Sequence, residues 1–319
     1  MSRLNKQQFF GWIAVFVSTA ITCIWTAWGV LENFHEGWYD QSLIRNLALM
    51  VTQYMAPMLG FLLGALVSAY WPRVGAVLHW SLASFAIWFF GADSPVVLFI
   101  IIPLALLGLC FWFGKVQPRR WALGFVIGLP LLTLAVCAIE PVWRLSGRVN
   151  DGDFGARLVE GNGLKLVWAP AGPGWPLQIG GAREDRMMVW AEAVRRCRHL
   201  KEDGLTLDDS PRNIWRLPTV EEAVRSMARH GQNADGVWDA QSAFASYRIK
   251  PDKETPLWNP HSMVIYWWTG TEVDEEKAYM IAYNGGVWPR RKRIAPSYFT
   301  FRCVQSANRP TEHLSRVPR

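Results

Sequence analysis

Residues 119–155 read RRWALGFVIGLPLLTLAVCAIEPVWRLSGRVNDGDFG. Two arginines open the stretch and an unbroken apolar run occupies 121–139. A single Glu140 then gives way to a segment rich in Pro, Gly, Asn and Asp. A membrane-crossing helix needs about 17–25 apolar residues, so 121–139 has the length and composition of a span. The residues after Glu140 have neither. This stretch therefore divides the chain into an apolar first part and a soluble second part.

Upstream, four more apolar runs stand out, at 9–30, 49–71, 75–91 and 95–114. The run 75–91 is at the lower limit of length and carries His79. The first 140 residues hold only seven Lys/Arg and five Asp/Glu, against 33 and 26 in the whole chain. The net charge of +7 is spread over both parts and gives no reason to expect nucleic acid. The first run is too long and too rich in Trp for a signal peptide and is expected to be a retained helix. Trp12, Trp25, Trp28, Trp71, Trp80, Trp112 and Trp121 fall near run ends, as interfacial anchors do. Gly60 and Gly64 make a G-x-x-x-G spacing suited to close helix approach. No charged residue lies in the middle of any run. With about five spans and a cytoplasmic N-terminus, Arg3, Lys6, Arg73, Lys115, Arg119 and Arg120 fall inside, where basic loop residues accumulate. Glu32, Glu36, Asp40 and Asp93 fall outside. Arg45, Arg144 and Arg148 fall outside against the rule.

Downstream, 141–160 has the composition of a linker. Leu164–Trp168 alternates as a strand, and Pro170 to Pro176 interrupts it. Trp190, Ala193, Cys197 and Leu200 share one face of a helix near 188–203, with Gly204 as its stop. Thr219 and Glu222 form a capping box for a second helix ending near Gly231. Long loops are expected over 231–260. Strands come next at Val264–Trp268, Ala278–Tyr283 and Phe299–Val304, with a turn at Asn284–Gly286. The tail from Ser306 is polar.

Trp190-Ala-Glu-Ala-Val-Arg-Arg-Cys197 resembles the W-x-x-A-x-x-x-C helix of C-type lectin-like domains. Trp215-Arg-Leu-Pro-Thr219 with Glu222 resembles a signature shared by the formylglycine-generating (sulfatase-modifying factor) family and the bacterial lectin-like domains that end collagen-like adhesins. Tyr266–Glu272, Ala278–Gly286 and Phe301–Val304 are most similar to the second group. The resemblance covers about 160–305. It implies a C-type lectin-like domain there, and with the apolar runs upstream the fold class expected is an all-α transmembrane bundle of about five helices followed by an α+β C-type lectin-like domain. The parts would be the bundle at 1–140, a linker at 141–160, the lectin-like domain at 161–305 and a tail at 306–319. It also implies a Cys197–Cys303 disulfide, hence an oxidising compartment. The remaining cysteines, Cys23, Cys110 and Cys137, sit in apolar runs as packing residues.

A recognition module is expected from these features. Gly286–Arg293 would be an exposed loop in which Trp288 offers a stacking face and Arg290, Arg291, Lys292 and Arg293 hold an acidic group. Trp258, Asn259 and His261 would lie on another loop. The calcium-type sugar motifs of animal C-type lectins are missing. The copper-type cysteine pair of formylglycine-generating oxidases is missing too, and His199, His230, His261 and His313 are scattered. No metal or cofactor is therefore expected; one alternative is a formylglycine-generating-enzyme-like oxidase or related metal-dependent modifying enzyme, and a second is a structural subunit of a membrane complex. The partners expected are the bilayer and a protein or envelope ligand such as a glycan or acidic group. The expected location is the bacterial inner membrane, multi-pass, with the C-terminal domain periplasmic or extracellular.

Overall fold

The structure is a computed structural model that describes residues 5–91, 93–170, 189–294, 299–307 and 315–316. The Pro/Gly stretch at 172–176, Arg3 and His313 lie outside these residues. The chain forms two compact units, Met1–Arg144 and Leu145–Arg319.

The first unit is helical. Its elements are α1 (Lys6–Glu36), α2 (Leu43–Leu49) with a π-helical turn at Met50–Tyr54, α3 (Ala56–Tyr70), α4 (Pro72–Phe90), the single turn α5 (Ser94–Val96), α6 (Ile102–Phe113) and α7 (Arg119–Ser146). Among the described residues, α1, α4 and α7 are each long and apolar enough to cross a membrane. The run at 49–71 is broken: Leu43–Tyr54 and Ala56–Tyr70 meet at 68° and make a fourth span if counted together. Pro57 stands in the first turn of α3, where its missing N–H is tolerated but a continuous helix is not. The run at 95–114 is a shorter apolar helix, Val97–Phe113, whose first turn is π-helical. The five runs are thus three spanning-length helices, one bent pair and one short helix. The run 75–91, the shortest by sequence, falls in the first class as α4.

Close packing in this unit depends on glycine. A Cβ on Gly64 would stand 2.7 Å from the His79 ring, whereas one on Gly60 would meet only Leu82 at 3.9 Å. The G-x-x-x-G spacing therefore serves α3–α4 contact within the chain, through Gly64. His79 is fully buried, and its Nδ1 lies 2.7 Å from the Gly75 carbonyl. On α1, Thr22 donates to Ser18 O and Thr26 to Thr22 O, both at 2.7 Å. Such back-bonding satisfies hydroxyls on an apolar helix.

The second unit is α+β. It contains β1 (Arg157–Gly161), β2 (Leu164–Trp168), α8 (Trp190–His199), α9 (Val220–Ser226), β3 (Ala228–Arg229), β4 (Gln232–Asn233), β5 (Val237–Asp239), β6 (Phe244–Ser246), β7 (Tyr266–Glu272), β8 (Lys277–Ala282), β9 (Val287–Arg291), β10 (Phe299–Thr300), β11 (Val304–Ser306) and β12 (Ser315–Arg316). Two four-stranded sheets run β11-β2-β1-β12 and β10-β7-β8-β9, and β3-β4 and β5-β6 are small hairpins. These hairpins occupy the region expected to be long loops. The expected linker is also structured: α7 continues to Ser146 and β1 begins at Arg157.

Successive side chains on a strand point to opposite faces, and Trp267-Trp268 uses this fully. Trp267 enters one core with Trp168, Trp258, Ile281 and Tyr283. Trp268 enters the other with Cys197, Met280, Phe299, Phe301 and Cys303. Cys197 and Cys303 are joined by a disulfide with Cα atoms 5.6 Å apart, which ties α8 to the segment between β10 and β11.

The expected strand Phe299–Val304 is two strands. Phe299–Thr300 pairs in parallel with β7, and Val304–Ser306 pairs antiparallel with β2. Between them the chain crosses from one sheet to the other. Arg302 fills the crossing, donating to Ala169 O at 2.6 Å, Pro256 O at 3.1 Å and Leu257 O at 2.6 Å. Similarly, α8 stops at His199 rather than 203. Leu200 is extended and bridges to Leu207, and Gly204, at φ +65°, packs against Pro170 and Trp215.

Candidate ligand groove

The groove grows out of sheet register. Trp268 pairs with Met280 across β7–β8, and Met280 pairs with Trp288 across β8–β9. Directly paired residues share a face, so one side of the sheet carries Trp268, Met280 and Trp288 in a row. Arg290, two residues beyond Trp288, lies on the same face. Tyr266 sits two residues before Trp268 and again shares it. Near α8 this face is closed by the core around Cys197. Toward β9 it opens into a groove of about 460 Å3 lined by Tyr266, Met280, Trp288, Pro289 and Arg290.

The rings give the groove its shape. Tyr266 meets Trp288 edge to face at 6.3 Å between centroids and Phe299 at 5.2 Å. Trp288 is 44 % exposed, so a large apolar surface stays in contact with water. Arg290 is exposed, and among the described residues no carboxylate pairs with it. Pro289 lies opposite Tyr279 in the ladder. Proline has no N–H, so it is tolerated only where its nitrogen faces away from β8. The free edge of β9 consequently lacks a donor at its middle.

The residues expected to bind ligand separate into several environments. Residues 287–291 form the edge strand β9 rather than a loop. Trp288 and Arg290 come together in the groove. Arg291 alternates to the opposite face of β9, and Arg293 is exposed in the turn after it. Lys292 is committed elsewhere: its ammonium pairs with Glu272, donates to Asp274 O at 2.9 Å and Glu275 O at 3.1 Å, and sits 4.8 Å from the Trp190 ring centroid. Trp258 is not on a surface loop. It is 2 % exposed and stacks on Trp267 with centroids 3.6 Å apart and planes 6° apart. His261 is half-buried and does not line the groove. Tyr266, Met280 and Pro289 line it without having been singled out by sequence. Their signal was the pairing of three strands, which needs register and not composition.

The residues of the W-R-L-P-T stretch each have a structural task. Trp215 donates to Lys201 O at 2.8 Å from a buried position. Arg216 makes two 2.6 Å bonds to Glu222. Thr219 accepts from Glu222 N at 3.1 Å while Glu222 accepts from Thr219 N at 2.8 Å, the expected capping box. On α8, Glu192 takes hydrogen bonds from Arg195 and Arg196, which hold its carboxyl down at about 2, against partial desolvation.

A second polar centre lies beside residues 147–151. Asp252, Lys253 and Glu254 are all buried. Asp252 receives Arg148 and Arg229. Lys253 donates to Ser262 O, and burial pushes its pKa down to about 7. Glu254 accepts from Val149 N at 3.0 Å, and burial raises its pKa. Thr255 N donates to Val149 O at 3.1 Å. This centre is closed and structural: it fastens the segment following α7 to the 252–255 turn. Among the described residues no group of three or more His, Cys, Asp or Glu converges as metal ligands would. No known protein family matches the chain, and neither does any curated protein or solved structure.

Proposed function

We propose that the chain is a multi-pass membrane protein whose C-terminal unit recognises, outside the cytoplasm, a ligand that combines a flat apolar face with an acidic group. The observation that carries this reading is the groove lined together by Tyr266, Trp288 and Arg290, its two rings in contact. An exposed indole beside a guanidinium with no carboxylate partner offers stacking and charge-assisted hydrogen bonding at one place. The edge of β9 lacks a central donor, so an extended peptide adding as a strand is a poor fit. An acidic sugar of the cell envelope is a good one. The resemblance of 160–305 to bacterial lectin-like domains supports a recognition role. The disulfide supports an oxidising compartment, and apolar helices of spanning length support the membrane. The bacterial inner membrane, with the N-terminus cytoplasmic, is the location this reading assigns.

The test is binding of the full-length protein in detergent to oligosaccharides carrying a carboxylate and to their neutral counterparts. The acidic members bind, and Trp288→Ala or Arg290→Ala weakens them by about 10- to 100-fold, as loss of a charge-assisted or stacking contact does. Equal binding of neutral and acidic sugars, or affinity unchanged in both variants, contradicts the reading.

A further inference from the structure

The helical unit carries a second charged surface, and it is unlike the groove. Lys6 opens α1, Arg73 lies in the first turn of α4, Lys115 comes just after α6, and Arg119 and Arg120 open α7. Local contacts bring these to one end. Lys115 N donates to Gln7 O at 2.8 Å, and Trp12 Nε1 donates to Gln117 O at 2.9 Å. The Arg119 guanidinium sits 4.9 Å from the centroid of Tyr70, the last residue of α3, and α4 starts two residues later. Phe125 packs on Trp12 at 6.3 Å and Phe16 at 5.5 Å, so α7 starts beside the start of α1.

All five cations are exposed, and among the described residues none pairs with a carboxylate. No acidic residue occurs between 41 and 92 or between 94 and 139. The cations of the opposite end differ in this respect. Arg45 lies 3.6 Å from Asp40 and Arg144 lies 3.5 Å from Glu140. Positive charge is therefore neutralised at one end and left open at the other. The open end is also ringed by exposed Tyr70, Trp71, Trp112 and Trp121, side chains that settle at headgroup level.

We infer that this end is a binding surface for the phosphate headgroups of anionic phospholipids. Guanidinium and ammonium groups are the donors that phosphate takes best. They stand on four helix ends around an apolar body rather than in a closed pocket, which suits several lipid headgroups and not one free ion. Each cation near an anionic leaflet adds attraction that falls off within a Debye length.

The test uses the full-length protein in nanodiscs of equal phosphatidylcholine and phosphatidylglycerol, with the lipids retained on release counted by native mass spectrometry. The wild type retains phosphatidylglycerol at several times its bulk share. That enrichment falls as NaCl is raised, and millimolar inorganic phosphate does not displace the lipid. The variant Arg73→Gln/Lys115→Gln/Arg119→Gln/Arg120→Gln returns to the bulk ratio, and Arg45→Gln/Arg144→Gln keeps the wild-type ratio. A wild type that retains both lipids at their bulk ratio overturns the proposal, whether or not the fourfold variant folds. Enrichment that survives the fourfold variant, or displacement by free phosphate, overturns it as well.

Discussion

Arg148 and Asp252, 104 residues apart in the chain, form a two-pronged ion pair, with Nε and Nη2 each 2.9 Å from a carboxylate oxygen and the two side chains 7 % and 0 % exposed. Arg229 reaches the same carboxylate at 2.8 Å. Removing one partner of a buried pair leaves an uncompensated charge, which costs about 3–5 kcal/mol. Asp252→Asn should destabilise the C-terminal unit by that order, measured by urea titration with pulse proteolysis of the full chain. A loss under about 1 kcal/mol would mean that the pair behaves as a surface bridge.

The disulfide closes a loop spanning 106 residues. In the chain-entropy view a loop near that length is worth about 4–5 kcal/mol. Cys303→Ala should lower the urea midpoint of the C-terminal unit accordingly, and reductant should have no further effect on the variant. A wild-type midpoint indifferent to reductant would contradict this.

Lys253 makes stability depend on pH. Burial, with repulsion from Arg148 and partial relief from Asp252, holds its pKa at about 7 against an ordinary 10.5. Between these values the unfolded chain binds the proton and the folded one does not. Its contribution therefore makes stability rise as pH climbs from about 7 to 10.5, and below 7 its penalty is constant. Lys253→Met should remove that slope and stabilise the protein at pH 7 by on the order of 2–4 kcal/mol. An identical pH profile in the variant would show that the ammonium is not desolvated.

Two tryptophans that sequence placed in similar roles should behave oppositely. Trp258→Ala empties a position stacked on Trp267 and should cost about 3–5 kcal/mol. Trp288→Ala, at an exposed edge, should change stability by less than about 1 kcal/mol. Thermal unfolding of both variants by circular dichroism separates them, and equal losses would place Trp288 in the core as well.

The features legible in the sequence are those with a local pattern. The Thr219–Glu222 cap needs only four consecutive positions, and the apolar runs need only their length. Cys197 and Cys303 become a pair through resemblance, since nothing in a separation of 106 residues selects them. The Arg148–Asp252 pair leaves no local trace, because an ion pair between distant segments has no period. Phe299–Val304 reads as one strand because its composition suits a strand throughout; the crossing at Arg302 depends on carbonyls of residues 169, 256 and 257. Trp258 reads as exposed because its neighbours are Asn and Pro, whereas its burial comes from Trp267. The groove is half legible, through Trp288 and Arg290, and the rest of it emerges only once β7, β8 and β9 are in register.

The most direct test of the central claim, a membrane protein with an oxidised recognition domain outside the cytoplasm, is thiol labelling in intact cells with a membrane-impermeant reagent. Variants lacking Cys23, Cys110 and Cys137 isolate the remaining pair. Cys197 and Cys303 should label only after reduction and urea exposure, without opening the inner membrane. Labelling without reduction, and only after lysis, would place the domain in the cytoplasm and contradict it.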